Sequence, residues 1–122
     1  MAAVTLLLAG GACSSMSQDI ATVSLLYHDA RYEASSAWLD ELAKDEAAMT
    51  LRQRAQFHYL RGMSAYRLYQ YSEALHDLAL AASAVAATGD ALSDSQRGML
   101  DQTLAEVALM TSYATSSTAT SR

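Results

Sequence analysis

The sequence predicts an all-α domain: two αα-hairpins followed by a closing helix. Three observations predict it. The chain of 122 residues has no proline, five glycines and few β-branched runs, a composition that favours helix over strand. The stretch FHYLRGMSAYRLYQYSEALHDLALAA, Phe57 to Ala82, reads as two helices folded back on each other. Its small residues are Gly62 and Ala65 in the first arm and Ala74 and Ala81 in the second, with Tyr66, Tyr69 and Tyr71 crowding the turn. Small residues that oppose one another let two helix backbones approach closely. Finally, Tyr27, Tyr32, Ser35, Leu39 and Leu42 precede Tyr66, Tyr71, Ala74, Leu78 and Ala81 by 39 residues each, so the hairpin pattern occurs twice.

The elements follow in order. Residues 1–12 read as a secretory signal: Ala2 to Ala9 form a short apolar run, too short to span a bilayer as a helix, and Gly10 and Ala12 are small where a signal peptidase reads. Residues 13–16 then read as a tether. The first helix is expected from Ser17 to His28, with Ser15 and Gln18 as a capping box and Ile20, Val23, Leu26 and Tyr27 buried. A turn at 29–31 leads to a second helix from Tyr32 to Ala43, with Trp38, Leu39 and Leu42 inward. Lys44-Asp45-Glu46 reads as a solvated linker. Thr50 and Gln53 make another capping box for a third helix that reaches Tyr69.

The fourth helix is expected from Ser72 to Thr88. Its run LALAASAVAA suggests burial on more than one side. Gly89 suits the αL position of a C-cap. Ser93 with Gln96 restarts a fifth helix, which reaches Ser112 with Leu100, Leu104 and Val107 as its stripe. The domain is thus placed at 17–110. Residues 111–122 hold eight Ser or Thr in twelve positions and read as a disordered tail.

Within the second hairpin, Arg61-Gly62 is followed by Tyr71-Ser72-Glu73-Ala74 and then by Leu78 and Ala81. This resembles the tetratricopeptide repeat, whose pattern is Leu-Gly, an aromatic, then Ala-x3-Phe over about 34 residues. Arg61 stands for the family's Leu and Leu78 for its Phe, and no proline closes the unit. The upstream copy, with Arg31-Tyr32-Glu33-Ala34 at its turn and Val23 at the Gly62 position, is a second, weaker match. Its longer offset places an insertion in 44–50. The N-terminal residues through Cys13, followed by Ser14-Ser15, resemble a bacterial lipoprotein, which implies lipidation of Cys13. Gly10 replaces that family's usual Leu three residues before the cysteine, and the first basic residue is Arg31.

The repeat resemblance implies a concave groove lined by the first helix of each repeat. Carried over, it gives Ser24, Tyr27 and His28 from the first repeat and Tyr59, Met63, Tyr66 and Arg67 from the second. Their spacing agrees in part, since Tyr59, Met63, Tyr66 and Arg67 share one helix face that combines aromatic area, a thioether and a guanidinium. The same tyrosines and methionine also suit a core face, and both readings stand at this point. Arg52, Arg54, Arg61 and Arg67 supply half of the eight basic residues, with no acid between Glu46 and Glu73. They are either a footprint for an acidic partner or the ion-pair partners of Asp40, Glu41, Glu73 and Asp77.

The net charge of −5 argues against general nucleic-acid binding. His28, His58 and His76 lack metal-ligand spacing, and neither His-x3-His nor Cys-x2-Cys occurs, so no metal or cofactor is called for. Neighbouring His76 and Asp77 diverge on a helix and cannot form a dyad together. The expectation is a non-enzymatic adaptor that binds a protein or peptide, lipid-anchored on the periplasmic side of a bacterial envelope. A self-associating structural subunit and a cytoplasmic helical regulator are the alternatives.

Overall fold

The structure, a computed structural model, describes residues 11–120, with side chains described from 15 to 117. Residues 1–10, which hold most of the expected signal, and the Cys13 side chain lie outside this description. The described chain is all-α: α1 Gly11–His28, α2 Tyr32–Leu42, a 3-10 segment Ala43–Ala48, α3 Leu51–Arg67, α4 Tyr71–Thr88 and α5 Asp94–Thr120. Helix α3 occupies the centre and touches each of the other four helices. Its Phe57, Leu60 and Met63 meet Val23 from α1, Leu39 from α2, Leu78 from α4 and Leu100 from α5 in one core.

The 39-residue repeat is present in the backbone. Among the described residues, Ala30 and Tyr69 are the two non-glycine residues at positive φ, at 60° and 62°. Each ends a helix through the same pair of bonds. Arg31 N–H donates to the Leu26 carbonyl at 2.8 Å, and Gln70 N–H to the Ala65 carbonyl at 2.8 Å. Ala30 N–H donates to Tyr27 at 3.0 Å, and Tyr69 N–H to Tyr66 at 3.1 Å. This is the Schellman arrangement, which satisfies the last carbonyls of a helix before the chain reverses. An aromatic pair braces each turn, Tyr27 with Tyr32 at 5.4 Å and Tyr66 with Tyr71 at 6.1 Å between centroids.

Packing within the second hairpin depends on Gly62. A Cβ there would lie 2.6 Å from Leu78 Cγ and 3.0 Å from the Leu78 backbone nitrogen. The first hairpin carries Val23 at the equivalent position, fully buried. A buried hydroxyl pair, Ser35 with Ser64 at 2.8 Å, joins α2 to α3.

Several boundaries differ from the sequence expectation. Helix α1 starts at Gly11, so Ser15 and Gln18 lie inside it rather than capping it, and 13–16 are helical. The capping boxes at Thr50/Gln53 and Ser93/Gln96 form in both directions. Gly89 caps α4 with φ of 77°. The expected disordered tail continues α5 to Thr120. The hydroxyls of Thr111 and Thr115 bond back to the carbonyls of Val107 and Thr111, so these residues do not compete with the helix from outside it. Trp38 is 43% exposed rather than inward, because α2 is an outer helix and one residue's rotation turns Trp38 away from buried Leu39. Helix α4 buries one side only: Ala74, Leu78, Ala81 and Ala84 are covered, whereas Leu80 is 39% exposed.

Candidate functional site

Helices α1, α3 and α5 share one face of the domain, and a cleft of about 290 Å³ opens on it. Helix α1 supplies Ser17, Ile20, Ala21 and Ser24, α3 supplies Gln56, Tyr59 and Leu60, and α5 supplies Gln96. Every one of these side chains is neutral. The polar ones are partly committed to the fold: Gln53 Nε2 donates to Ser17 Oγ at 3.2 Å, Gln56 Nε2 to the Ala91 carbonyl at 3.3 Å, and Gln96 Oε1 accepts from Ser93 N–H.

Beyond the cleft, four predicted residues, Tyr27, His28, Tyr66 and Arg67, gather at the turn end of the hairpins. Arg67 is exposed at the end of α3, its Nε donating to the Tyr27 hydroxyl at 3.5 Å. Its guanidinium carbon lies 6.0 Å from the Tyr32 ring and 5.7 Å from the Tyr66 ring, within the range of cation–π attraction. Tyr66 donates to Glu106 of α5 at 3.1 Å. Burial and that bond raise the Tyr66 phenol above its ordinary value, and the bond to Tyr27 raises Arg67. His28 is exposed and stands edge-on to Tyr27 at 5.7 Å.

The seven predicted groove residues therefore divide. Tyr27, His28, Tyr66 and Arg67 come together at the turn end, and Ser24 lies in the cleft. Met63 is fully buried and belongs to the core, which corrects its placement as a contact residue. Tyr59 is 5% exposed: its ring is core, and only its edge reaches the cleft. Helical spacing places these residues on one face but says nothing of what covers it. The assembled core buries Met63 and most of Tyr59.

The arginines of α3 resolve differently from a shared footprint. Arg52 pairs with Asp90 at 2.8 Å. Arg54 donates to the carbonyls of Glu46 and Ala47, both at 3.3 Å. Arg61 meets Asp40 at 3.2 Å and Asp77 at 3.9 Å. Among the described residues Arg54 and Arg67 have no carboxylate partner; Arg54 is held by backbone carbonyls and Arg67 by tyrosines.

A polar cluster on the far side of α3 was not anticipated. His58, 5% exposed, sits between two acids, with Nδ1 2.9 Å from Asp77 and Nε2 2.8 Å from Glu46. Each ring nitrogen thus holds one of the two acids, and the imidazole bridges them. Glu46, read as solvated, thus ties the 3-10 segment to α3. One sequence signal was available. Asp77 interrupts the buried stripe Ala74, Leu78 and Ala81, and a buried acid requires a cationic partner. Among the described residues, no group of three His, Cys, Asp or Glu is placed to hold a metal ion, and no helix is long and apolar enough to cross a membrane.

Compared with protein-family models, curated proteins and solved structures, the chain matches none.

Proposed function

We propose that the protein is a non-enzymatic interaction adaptor that presents the α1–α3–α5 face to a peptide or helix of a partner protein. The observation that carries this reading is Arg67. Among the described residues it is the one α3 arginine that meets neither a carboxylate nor a backbone carbonyl, and three tyrosines hold it in place. A guanidinium stacked on aromatic faces keeps its donor fork available to a carboxylate, so an acidic side chain or chain terminus of the partner is the group it would bind. The duplicated hairpin supports a tetratricopeptide-like reading, in which the first helices line the binding face. The envelope setting and lipidation at Cys13 are part of the proposal and rest on the sequence of residues 1–13. Intact-mass measurement on protein from a Gram-negative host tests them: loss of residues 1–12 with acyl addition supports them, and an unprocessed soluble chain overturns them.

Photo-crosslinking tests the binding face. A photoreactive residue replacing exposed His28 is expected to capture a defined partner in cells, whereas one replacing exposed His76 on α4 is not. Arg67→Glu is expected to abolish the capture. Equal capture from both positions, or capture that survives Arg67→Glu, would overturn the reading.

A second reading is self-association through α5, where Leu109 and Tyr113 lie one turn apart, 62% and 75% exposed. Light scattering would show a mass that rises with concentration and falls back in Leu109→Ser/Tyr113→Ser.

A further inference from the structure

Tyr59 is 95% withdrawn from solvent, at 5% exposure, yet its hydroxyl finds no hydrogen-bond partner among the described residues. A buried phenol normally has one, because an unsatisfied polar group in a protein interior is costly. No buried side-chain polar atom of the described residues is left unsatisfied, so the Tyr59 hydroxyl is not sealed inside. Tyr59 is one of the residues that line the cleft.

Other groups around the cleft have unused capacity of the same kind. Ser24 has a hydroxyl without a partner among the described residues. Gln96 commits its oxygen to Ser93 N–H and keeps its NH2. Gln56 commits its NH2 to the Ala91 carbonyl and keeps its oxygen. Neutral donors and neutral acceptors therefore line the cleft beside buried Ile20 and Leu60 and exposed Ala21.

We propose that this cleft binds an uncharged amide, the backbone unit of a peptide that carries a small apolar side chain. Tyr59 O–H and the Gln96 NH2 donate to the peptide carbonyl. Gln56 Oε1 or Ser24 Oγ accepts the peptide N–H, and Ile20 and Leu60 take the side chain. Charge decides against other ligands. A carboxylate or phosphate would meet no Lys or Arg in the lining, and an ammonium would meet no Asp or Glu. Moving an ion out of water without a countercharge costs far more than moving a hydrogen-bonded amide. The phenol also stays a donor throughout the physiological range, since burial, reinforced by Tyr27 and opposed by Arg67, pushes it up to about 12. The volume is near the lower bound of about 300 Å³ for small-ligand sites, which suits one or two residues of a peptide rather than a large cofactor.

The inference rests on the adaptor reading for the identity of the ligand as part of a partner protein, and its test is independent of any partner. The full chain, labelled for NMR, is titrated with N-acetylalanine N-methylamide, and in parallel with sodium acetate and with methylammonium chloride. The neutral amide is expected to shift the side-chain amides of Gln56 and Gln96 and the backbone of Ser24 saturably. Tyr59→Phe, which keeps the ring in the core, is expected to weaken that binding about three- to ten-fold, the effect of one hydrogen bond. Ser24→Leu fills the cleft and should abolish it with the core resonances unchanged. Saturation by acetate or methylammonium at equal strength, the absence of a saturable shift, or equal affinity in Tyr59→Phe would each overturn the proposal. Amide binding without partner capture at His28 overturns the adaptor reading alone. Partner capture without amide binding overturns the cleft assignment alone.

Discussion

The two sides of α3 meet the rest of the molecule in opposite ways. Toward α2, α4 and the 3-10 segment, His58 and Arg61 meet Asp40, Asp77 and Glu46, and the chain closes its charges on itself. Toward α1 and α5, Tyr59 and Ser24 carry hydroxyls without a partner among the described residues, and Arg67 carries a charge that meets tyrosines rather than acids there. The first side has the chemistry of stability, since breaking it strands a buried charge. The second has the chemistry of recognition, since its groups lose little by standing alone in water and gain when a partner supplies the missing atoms.

The comparison can be broken at its strongest point. Asp77→Ala leaves His58 and Arg61 without their shared buried acid and is expected to cost about 3 kcal/mol by denaturant unfolding. A cost below about 1 kcal/mol, the level of an exposed pair, would mean that the closed side is not structural after all. Gly62→Ala, on the same side, forces a methyl to within 2.6 Å of Leu78 Cγ and is expected to cost about 1–3 kcal/mol. Leu78→Val in the Gly62→Ala background should recover part of that loss, because the two sites share one contact.

The open side should show smaller effects on folding. The Tyr59 phenol has its value raised from 10.0 to about 12, so the folded chain holds a proton that the unfolded chain releases above pH 10. Stability is therefore level through neutral pH and declines between about pH 10 and 12, by at most about 1.4 kcal/mol per pH unit. Tyr59→Phe should remove this part of the alkaline slope, as thermal melts across that range would show. Arg67→Ala is expected to change stability least, by under about 1 kcal/mol, while partner capture is lost. A larger stability loss would move Arg67 from the open side to the closed one.

Much of the scaffold was legible in the sequence because its signals are local. The 39-residue offset of Tyr27 and Tyr32 from Tyr66 and Tyr71 reappears as two braced turns. Thr50 with Gln53 and Ser93 with Gln96 show their caps within four residues. The small residue at 62 marks a close helix contact that Leu78 fills. What was not legible depends on residues far apart in the chain. The burial of Met63 follows from its neighbours in the assembled core, and the ion cluster joins Glu46, His58 and Asp77 from three elements. The length of α5 was missed because Ser and Thr content was read as disorder, whereas Thr111 and Thr115 bond along the helix itself.

The central position of α3 also has a kinetic consequence. Contacts between α3 and α4 span few residues and are reached through a turn that satisfies its own carbonyls, so this hairpin is the cheapest unit to nucleate. Helices α1 and α5 dock on it from opposite ends of the chain. The proposed binding face, whose walls are those two outer helices, is then expected to be the last part of the molecule to assemble and the first to open. Hydrogen exchange should find the amides of α3 among the slowest and those of α1 and α5 faster, and a bound partner would slow exchange in both outer helices together.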